Sequence, residues 1–225
     1  MARVDSFWPL VLGTIVALLP LINPLAAAPT FLTITEGDSP SRRHHQLVRA
    51  CIFMVLILVS ALIGGTFIMG FFGISIPGLR IAGGLLVGGI GWTMVLGSGD
   101  VATDDHTRQA ARAKRDVSFS PLAMPMLSGP GSIAVTIGFT SLARGWMDYL
   151  AIIAGIVAVA AITYVVLRLS ERTVRLIGVN GMTALTKVMG FLLLCIGAQF
   201  VVNGVMGVAT DPAFLHAVRE ALAGH

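Results

Sequence analysis

The residues best placed to do chemistry in this 225-residue chain are two proline motifs in the middle of long uncharged segments. Asn23-Pro24 lies near the centre of residues 6–35, and Gly129-Pro130 lies near the centre of residues 117–143. Proline has no backbone N–H and clashes with the preceding helical turn, so each motif must interrupt a helix. Asn or Gly followed by Pro is also a typical helix start. Each motif therefore predicts a helix that restarts halfway along its segment.

A helix start carries backbone N–H groups without an intrahelical partner, together with the positive end of the helix dipole. Such ends bind anionic groups, for example a carboxylate. We predict that both starts face one substrate site, in which Asn23 caps its helix and offers its side-chain amide. Glycines at 129 and 131 would let a ligand approach the backbone. The residues of this predicted site are Asn23, Pro24, Ser128, Gly129, Pro130 and Gly131. The alternative is that both motifs are packed, dry kinks.

Three further polar side chains, Arg80, Lys187 and Gln199, are candidates for the same site. Basic residues near the end of an apolar helix more often extend their charge to the membrane surface, so Arg80 and Lys187 have two interpretations. Gln199 lies one turn from Asn203, and this pair predicts either hydrogen bonds between helices or a cavity lining. All eleven acidic residues fall in loops or at the ends of apolar segments, so no buried carboxylate is predicted to relay protons.

The apolar segments contain no Ser-His-Asp set, cysteine cluster or metal-ligand motif. We therefore expect no enzyme, no catalytic residue, no metal and no cofactor. The residues do not assign a coupling ion, which could be Na⁺ or H⁺. Expected partners are membrane lipids and a small-molecule substrate, and not nucleic acid, because the basic residues lie in loops rather than along one helix face. The sequence does not indicate an oligomeric state.

The elements that must position these residues are transmembrane helices. Hydrophobic residues make up 56% of the chain, charged residues 12%, and the mean hydropathy is +0.88. Soluble domains carry roughly a quarter charged residues, so this chain lacks the polar surface of a water-soluble protein. Uncharged runs predict an all-α polytopic membrane protein with six spans. We place them at residues 7–33, 46–70, 78–98, 118–141, 146–169 and 182–207.

Two matches predict an internal repeat. Asn23-Pro24 precedes Gly129-Pro130 by 106 residues, and Arg80-Ile81-Ala82-Gly83 precedes Lys187-Val188-Met189-Gly190 by 107 residues. Each half has three spans, so the second half would enter the membrane inverted, and the first helix of each repeat would be broken. Inverted repeats are common in secondary transporters, whose substrate site lies near the midplane between the halves. The spacing Gly84-x-x-x-Gly88 predicts close helix packing.

The predicted organisation is a first three-helix repeat, a cytoplasmic linker, a second inverted repeat and a periplasmic tail with a short amphipathic helix. These occupy residues 1–98, 99–117, 118–207 and 208–225. With the N-terminus outside, ten Lys and Arg residues fall in inner loops and four in outer segments. The positive-inside rule then places both termini in the periplasm. Residues 71–78 predict an apolar loop, at the interface or partly re-entrant.

With these motifs, the chain resembles the MarC family of six-span bacterial inner-membrane proteins, also described as a neutral amino acid transporter family. The resemblance extends to about residue 207. It is carried by Leu21-Ile22-Asn23-Pro24 with Pro29, by the segment Pro125–Gly131, and by the signatures that begin at Arg80 and Lys187. Two positions depart from the family pattern: Ala26 stands where Gly is frequent, and Lys187 stands where Arg is common. The resemblance implies a multi-pass protein of the bacterial inner membrane.

The leading functional hypothesis is a secondary transporter of small neutral amino acids or similar small zwitterions, bound near the midplane between the repeats. Some members of the resembled family look like transporters of this kind. One alternative is a passive channel of aquaporin type, which also uses inverted halves and half-helices. Another is a lipid-phosphate flippase that uses Arg80 and Lys187 on the phosphate. Transport assays in proteoliposomes distinguish the three.

Overall fold

The protein is an all-helical bundle in a computed structural model that describes residues 7–96, 116–140, 142–143 and 145–211. Within these residues there are eight helices. They are α1 (Phe7–Ile22), α2 (Pro24–Ile34), α3 (Pro40–Phe72), α4 (Ile76–Leu96), α5 (Ser118–Leu127), α6 (Pro130–Phe139), α7 (Trp146–Arg168) and α8 (Ser170–Ala209).

Four of the described helices are long and apolar enough to span a membrane alone: α3, α4, α7 and the part of α8 from Asn180 to Ala209. Two bent pairs, α1–α2 and α5–α6, meet the same criterion together. The prediction of an all-α membrane protein is confirmed, with up to six spans when each bent pair is one span. The predicted linker (99–117) and the predicted amphipathic helix after Asp211 fall, apart from residues 116 and 117, outside the described residues.

The start of α3 differs from its prediction. α3 begins at Pro40 rather than at residue 46, so its first basic residues are helical and not part of a loop. Ser39 is the N-cap, and its Oγ accepts a hydrogen bond from Arg42 N at 3.3 Å. Pro40 then takes the first helical position, where its missing N–H costs nothing. These two residues are a helix-start signal that the hydropathy pattern alone does not reveal.

The connection between α3 and α4 is a tight turn. Gly73 ends α3 with a left-handed backbone (φ 64°), which glycine adopts without the strain of a side chain. α4 begins three residues later at Ile76. Of residues 71–78, which were predicted as an apolar loop at the interface or partly re-entrant, residues 73–75 lie between the helices and the rest belong to α3 and α4. A second left-handed glycine, Gly178, interrupts α8 near its start (φ 69°).

Helices from the two halves pack against each other in a reciprocal pattern. α3 packs on α5 and α6, and α7 correspondingly packs on α1 and α2. α4 contacts α6, α8 contacts α2, and α4 and α8 contact each other extensively. The buried apolar core lies between the two bent pairs and the helices α3 and α7, and includes Leu18, Phe31, Leu58, Leu62, Leu122, Leu127, Ile152 and Ile156.

Glycines bring α4 and α8 into backbone contact, as their spacing predicts. A Cβ built on Gly197 would lie 2.6 Å from the carbonyl oxygen of Gly84, and one built on Gly190 would lie 2.9 Å from that of Gly91. Residue numbers rise along one helix as they fall along the other, so the two helices are antiparallel. The separation of the proline motifs, 106 residues, also separates Gly84 from Gly190 and Gly91 from Gly197. Applying this offset to one contact therefore gives the residues of the other. The inversion of the halves stays a prediction, which this packing supports.

Candidate substrate site at the helix breaks

The first break lies at Asn23, between α1 and α2. Its backbone is left-handed (φ 40°, ψ 66°), a conformation that Asn tolerates better than most residues with a side chain. Asn23 Oδ1 accepts a hydrogen bond from Ala26 N at 3.2 Å, and Pro24 occupies the first helical position of α2. The axes of α1 and α2 are bent by 44°. The predicted cap and helix restart at Asn23-Pro24 are confirmed.

The amide nitrogen of Asn23 is a buried donor without a partner. The side chain is 7% exposed, and Nδ2 has no hydrogen-bond partner in the described part of the chain. The first backbone hydrogen bond of α2 is donated by Ala27 N to Asn23 O at 3.1 Å. The N–H of Leu25 comes before this bond and is outside the hydrogen-bond series of the helix. A buried polar group left unpaired costs about 1–3 kcal/mol. The first break therefore presents unused donor capacity inside the bundle.

The second break lies between α5 and α6. Gly129 is the N-cap of α6, with extended backbone and no side chain to cap with, and Pro130 is the first helical residue. The first backbone hydrogen bond of α6 is donated by Ile133 N to Gly129 O at 3.1 Å. The N–H groups of Gly131 and Ser132 come before this bond and are outside the hydrogen-bond series of the helix. α5 and α6 are bent by 64°. The predicted helix restart at Gly129-Pro130 is also confirmed.

Ser128 places a second unpartnered polar atom at this break. It is fully buried, and its Oγ has no partner among the described residues. Its backbone N donates to Ala123 O at 2.8 Å. The helix leading to it is irregular, because Ser120 and Met124 have extended backbones. Each of these two residues precedes a proline, which disfavours the helical conformation in the residue before it.

The two broken pairs touch each other. α1 contacts α6, and α2 contacts α5. A Cβ built on Gly131 would lie 3.3 Å from Leu21 Cδ2 and 2.9 Å from Ile90 Cδ1, so α6 begins tightly packed on α1 and α4. A Cβ on Gly129 would lie 3.1 Å from Pro125 O. The absence of a side chain at both glycines therefore allows the helices to pack closely. A ligand would have to approach the two backbone N–H groups from a direction that these packing contacts leave open.

A cavity of about 140 Å³ lies between α4, α6 and α8. Its lining includes Arg80, Gly83, Ala134, Gly138, Phe139 and Asn203. The Arg80 side chain is half-buried, so of its two interpretations the cavity-facing one agrees with the structure. α6 connects this cavity to the second break, because its first residues form the break and its last residues line the cavity.

Gln199 and Lys187 lie elsewhere on α8. Gln199 Nε2 donates to Asn203 Oδ1 at 2.9 Å within the same helix, so the interhelical interpretation of this pair is wrong. Both side chains of the pair are exposed. Lys187 is exposed too, and it does not line the Arg80 cavity. With Gly84 opposite Gly197, Arg80 lies level with residue 201, about 21 Å along α8 from Lys187.

Two residues of α6 were not predicted as site residues from the sequence. Gly138 lines the cavity, and Ser132, which is 3% exposed, lies in the first turn of α6 at the second break. The spacing Ala134-x-x-x-Gly138 is a signal for a groove or close approach on one helix face. Among the described residues, no group of three or more His, Cys, Asp or Glu side chains could hold a metal ion.

Comparisons with known proteins agree with this architecture. The model of the MarC family of integral membrane proteins matches residues 8–209. Proteins named UPF0056 inner membrane protein MarC from Citrobacter koseri and from Salmonella typhimurium are each 37% identical over 215 residues. In both, the match covers 91% of this chain and 97% of the relative. No solved structure matches the chain.

Proposed function

Because the chain belongs to the MarC family of integral membrane proteins, we propose that it is a secondary transporter of small neutral amino acids or similar small zwitterions, and not an enzyme. One observation carries this proposal. Each helix break holds one buried polar side-chain atom that has no hydrogen-bond partner among the described residues: Asn23 Nδ2 at the first break and Ser128 Oγ at the second. Buried polar groups are normally paired, and an unpaired group beside each of the two helix breaks supports a ligand there.

The chemistry of these groups suits a zwitterion. A carboxylate would accept hydrogen bonds from Asn23 Nδ2 and from first-turn amides such as that of Gly131, aided by the positive ends of α2 and α6. Ser128 Oγ can accept a hydrogen bond from the ammonium group. The two break segments themselves contain no charged side chain. The site would therefore bind a ligand whose charges sum to zero, in keeping with a neutral amino acid.

The two alternative functions receive less support. A lipid-phosphate flippase would need Arg80 and Lys187 along one path, but the two lie about 21 Å apart along the helix pair, and only Arg80 lines the cavity. A passive channel of aquaporin type would put its half-helices in re-entrant loops, whereas the proposed transporter needs each bent pair, which is long and apolar enough, to be one broken span. Both alternatives remain outcomes of the transport assay.

Counterflow in proteoliposomes tests the proposal. The protein is reconstituted, loaded with glycine, alanine, serine or a larger neutral amino acid, and assayed for saturable uptake of the labelled substrate. Asn23→Gly keeps the left-handed backbone and, at an N-cap, costs only a few tenths of a kcal/mol, but it removes Nδ2. We expect small neutral amino acids to exchange, and Asn23→Gly to lower the rate by at least about tenfold, by analogy with one lost hydrogen bond to a charged group.

Gly89→Ala is the matched control, because Gly89 is exposed and a Cβ there meets nothing within 4 Å. Repeating the assay with a Na⁺ gradient and then with a pH gradient identifies the coupling ion. Counterflow by Asn23→Gly at the wild-type rate would show that the breaks are dry kinks. Osmotic water flux without exchange would indicate a channel, and lipid translocation would indicate a flippase.

A further inference from the structure

A long apolar groove runs along the outside of the bundle between α3 and α7. Its volume is about 510 Å³, and its lining is aliphatic apart from Cys51 and Tyr164. On α3 it extends from Val48 to Leu56, which is about 12 Å of helix. One leaflet of a bilayer contributes roughly 15 Å of hydrocarbon, half the thickness of the apolar core. The length of the groove along α3 is therefore close to the thickness of one leaflet, which is the distance that a lipid acyl chain extends into the bilayer.

Tyr164 joins this groove to a polar group at one end. Its ring lines the groove, while its hydroxyl oxygen accepts a hydrogen bond from Arg168 Nη1 at 2.7 Å. The same Nη1 lies 2.9 Å from His44 Nδ1, and the rings of His44 and Tyr164 are in edge contact with centroids 5.9 Å apart. We call His44, Tyr164 and Arg168 the Arg168 cluster. Tyrosine with an apolar ring and a polar tip is typical of the membrane interface.

The Arg168 cluster lacks a carboxylate. The nearby acidic residues pair with other arginines, in the ion pairs Arg42–Asp38, Arg43–Glu171 and Arg49–Asp116. Arg168 forms no ion pair in the described part of the chain, and its contacts are with His44 and Tyr164. The guanidinium thus has unused donors at the mouth of an apolar groove. A phosphate accepts hydrogen bonds from arginine in a bidentate geometry and would supply the missing negative charge.

We propose that the groove and the Arg168 cluster together bind one anionic glycerophospholipid. One acyl chain lies between α3 and α7, and the phosphate accepts hydrogen bonds from Arg168 beside His44. Basic pockets between transmembrane helices on the cytoplasmic side bind anionic headgroups elsewhere, and this end of the bundle is the predicted cytoplasmic one. A helix of a second chain would cover the apolar lining but would leave the guanidinium without a counter-charge. The proposal is independent of the transported substrate.

Native mass spectrometry of the detergent-purified full chain tests this site. The probes are phosphatidylglycerol, phosphatidylethanolamine and glycerol phosphate, which separate an anionic lipid from a zwitterionic lipid and from a headgroup without chains. We expect the wild type to retain one phosphatidylglycerol at least about tenfold more readily than phosphatidylethanolamine, and not to bind glycerol phosphate. A factor of ten corresponds to about 1.4 kcal/mol.

Two pairs of variants separate the headgroup contact from the chain contact. Arg168→Gln removes the charge, and Arg175→Gln is its control, since Arg175 is an exposed arginine of α8 that neither lines the groove nor belongs to the Arg168 cluster. Ala161→Trp fills the groove, and Ala198→Trp adds the same side chain to an exposed position of α8 outside it. We expect Arg168→Gln to abolish the preference for phosphatidylglycerol and Ala161→Trp to reduce retention of both lipids.

Equal retention of the two lipids by the wild type would overturn the proposal, as would equal losses in Arg168→Gln and Arg175→Gln. Retention that Ala161→Trp leaves at the level of Ala198→Trp would show that lipid binds outside the groove. If glycerol phosphate bound as tightly as the lipid, the site would recognise the phosphate alone and not the acyl chain. All four variants change exposed side chains, so their folding is checked directly by size-exclusion chromatography.

Discussion

Gly197 on α8 lies so close to Gly84 on α4 that a Cβ added to Gly197 would stand 2.6 Å from the Gly84 carbonyl oxygen and 2.5 Å from Gly88 N. These neighbours are backbone atoms, which cannot turn aside as a flexible side chain can. Helix association within a bilayer depends on such close packing, because lipid chains are as apolar as the side chains they would replace. The α4–α8 contact therefore joins the two halves through their main chains.

Gly197→Ala should destabilise the protein. Inserting a methyl group into a filled contact typically costs about 1–3 kcal/mol, and here the two helices must separate to admit it. Gly89→Ala, also on this helix pair, has nothing within 4 Å of its added Cβ and should be neutral or slightly stabilising. Thermal denaturation in detergent, followed by size-exclusion chromatography, measures both. Equal midpoints for the two variants would contradict the close contact.

Ser128→Ala should separate stability from transport. The Ser128 Oγ is buried without a partner, so its removal should leave the thermal midpoint unchanged or raise it. If this oxygen binds the substrate, counterflow should fall at the same time. Thr163→Val is the control for loss of a buried hydroxyl, because Thr163 Oγ1 likewise has no partner among the described residues but belongs to α7 and not to either break segment. That variant should keep wild-type counterflow. Loss of transport in both variants, or in neither, would remove Ser128 from the site.

The sequence predicts the parts of this fold that depend on local chemistry. Uncharged runs locate the spans, and the Pro motifs locate both breaks because proline cannot continue a helix. The sequence names Arg80 and Gln199 as candidates but does not decide between their two interpretations, because that depends on which face of each helix turns inward. α4 and α8 each contain six glycines spread along their length, and glycine gives little amphipathic signal to set that rotation.

Gly138→Leu should fill the cavity beside Arg80. The cavity holds about 140 Å³, and an added Cβ at Gly138 meets no atom within 4 Å, so the larger side chain can enter without disturbing the fold. We expect normal insertion and at least about a tenfold slower counterflow if the cavity is part of the substrate path. Gly64→Ala, at another open glycine on α3, should transport normally. Wild-type rates in Gly138→Leu would exclude this route.

Asp116 should make part of the protein's stability depend on acid pH. Hydrogen bonds from the Ser118 hydroxyl (2.6 Å) and backbone N (2.9 Å), followed by the charge of Arg49, hold the pKa of this carboxyl below its ordinary value of 3.8. Because the pKa is lower in the folded state, the stabilisation is complete above the unfolded value and is lost as the pH falls through the folded value.

The thermal midpoint of the wild type should therefore fall more between pH 7 and pH 3 than that of Asp116→Asn. Ser118→Ala should reduce this difference more than Arg49→Gln, since the hydrogen bonds are the larger cause of the lowered pKa. The Arg49–Asp116 pair is largely exposed, and such pairs contribute at most about 1 kcal/mol. An identical acid profile for wild type and Asp116→Asn would contradict the assignment.

Reporter fusions should place both termini in the periplasm. A fusion within residues 99–117 should report the cytoplasm, and one after Asp211 should report the periplasm, as the excess of basic residues in the inner loops predicts. Because α4 and α8 are antiparallel, the C-terminal end of α8 lies on the same side of the membrane as the N-terminal end of α4. If residues 99–117 and the C-terminus reported the same side, the second half would cross the membrane an even number of times, and the inverted-repeat interpretation would end.

α3 is a long helix without a break, whereas the pairs α1–α2 and α5–α6 are bent. Its 33 residues extend about 50 Å, against roughly 30 Å of hydrocarbon, so its first turns must stand in the headgroup layer. The same helix packs on both pieces of the second bent pair, α5 and α6. A change in bilayer thickness that tilts α3 would therefore act on α5 and α6, the two helices that meet at the second break. Membrane tension would thus reach the second break mechanically, without any ligand passing through it.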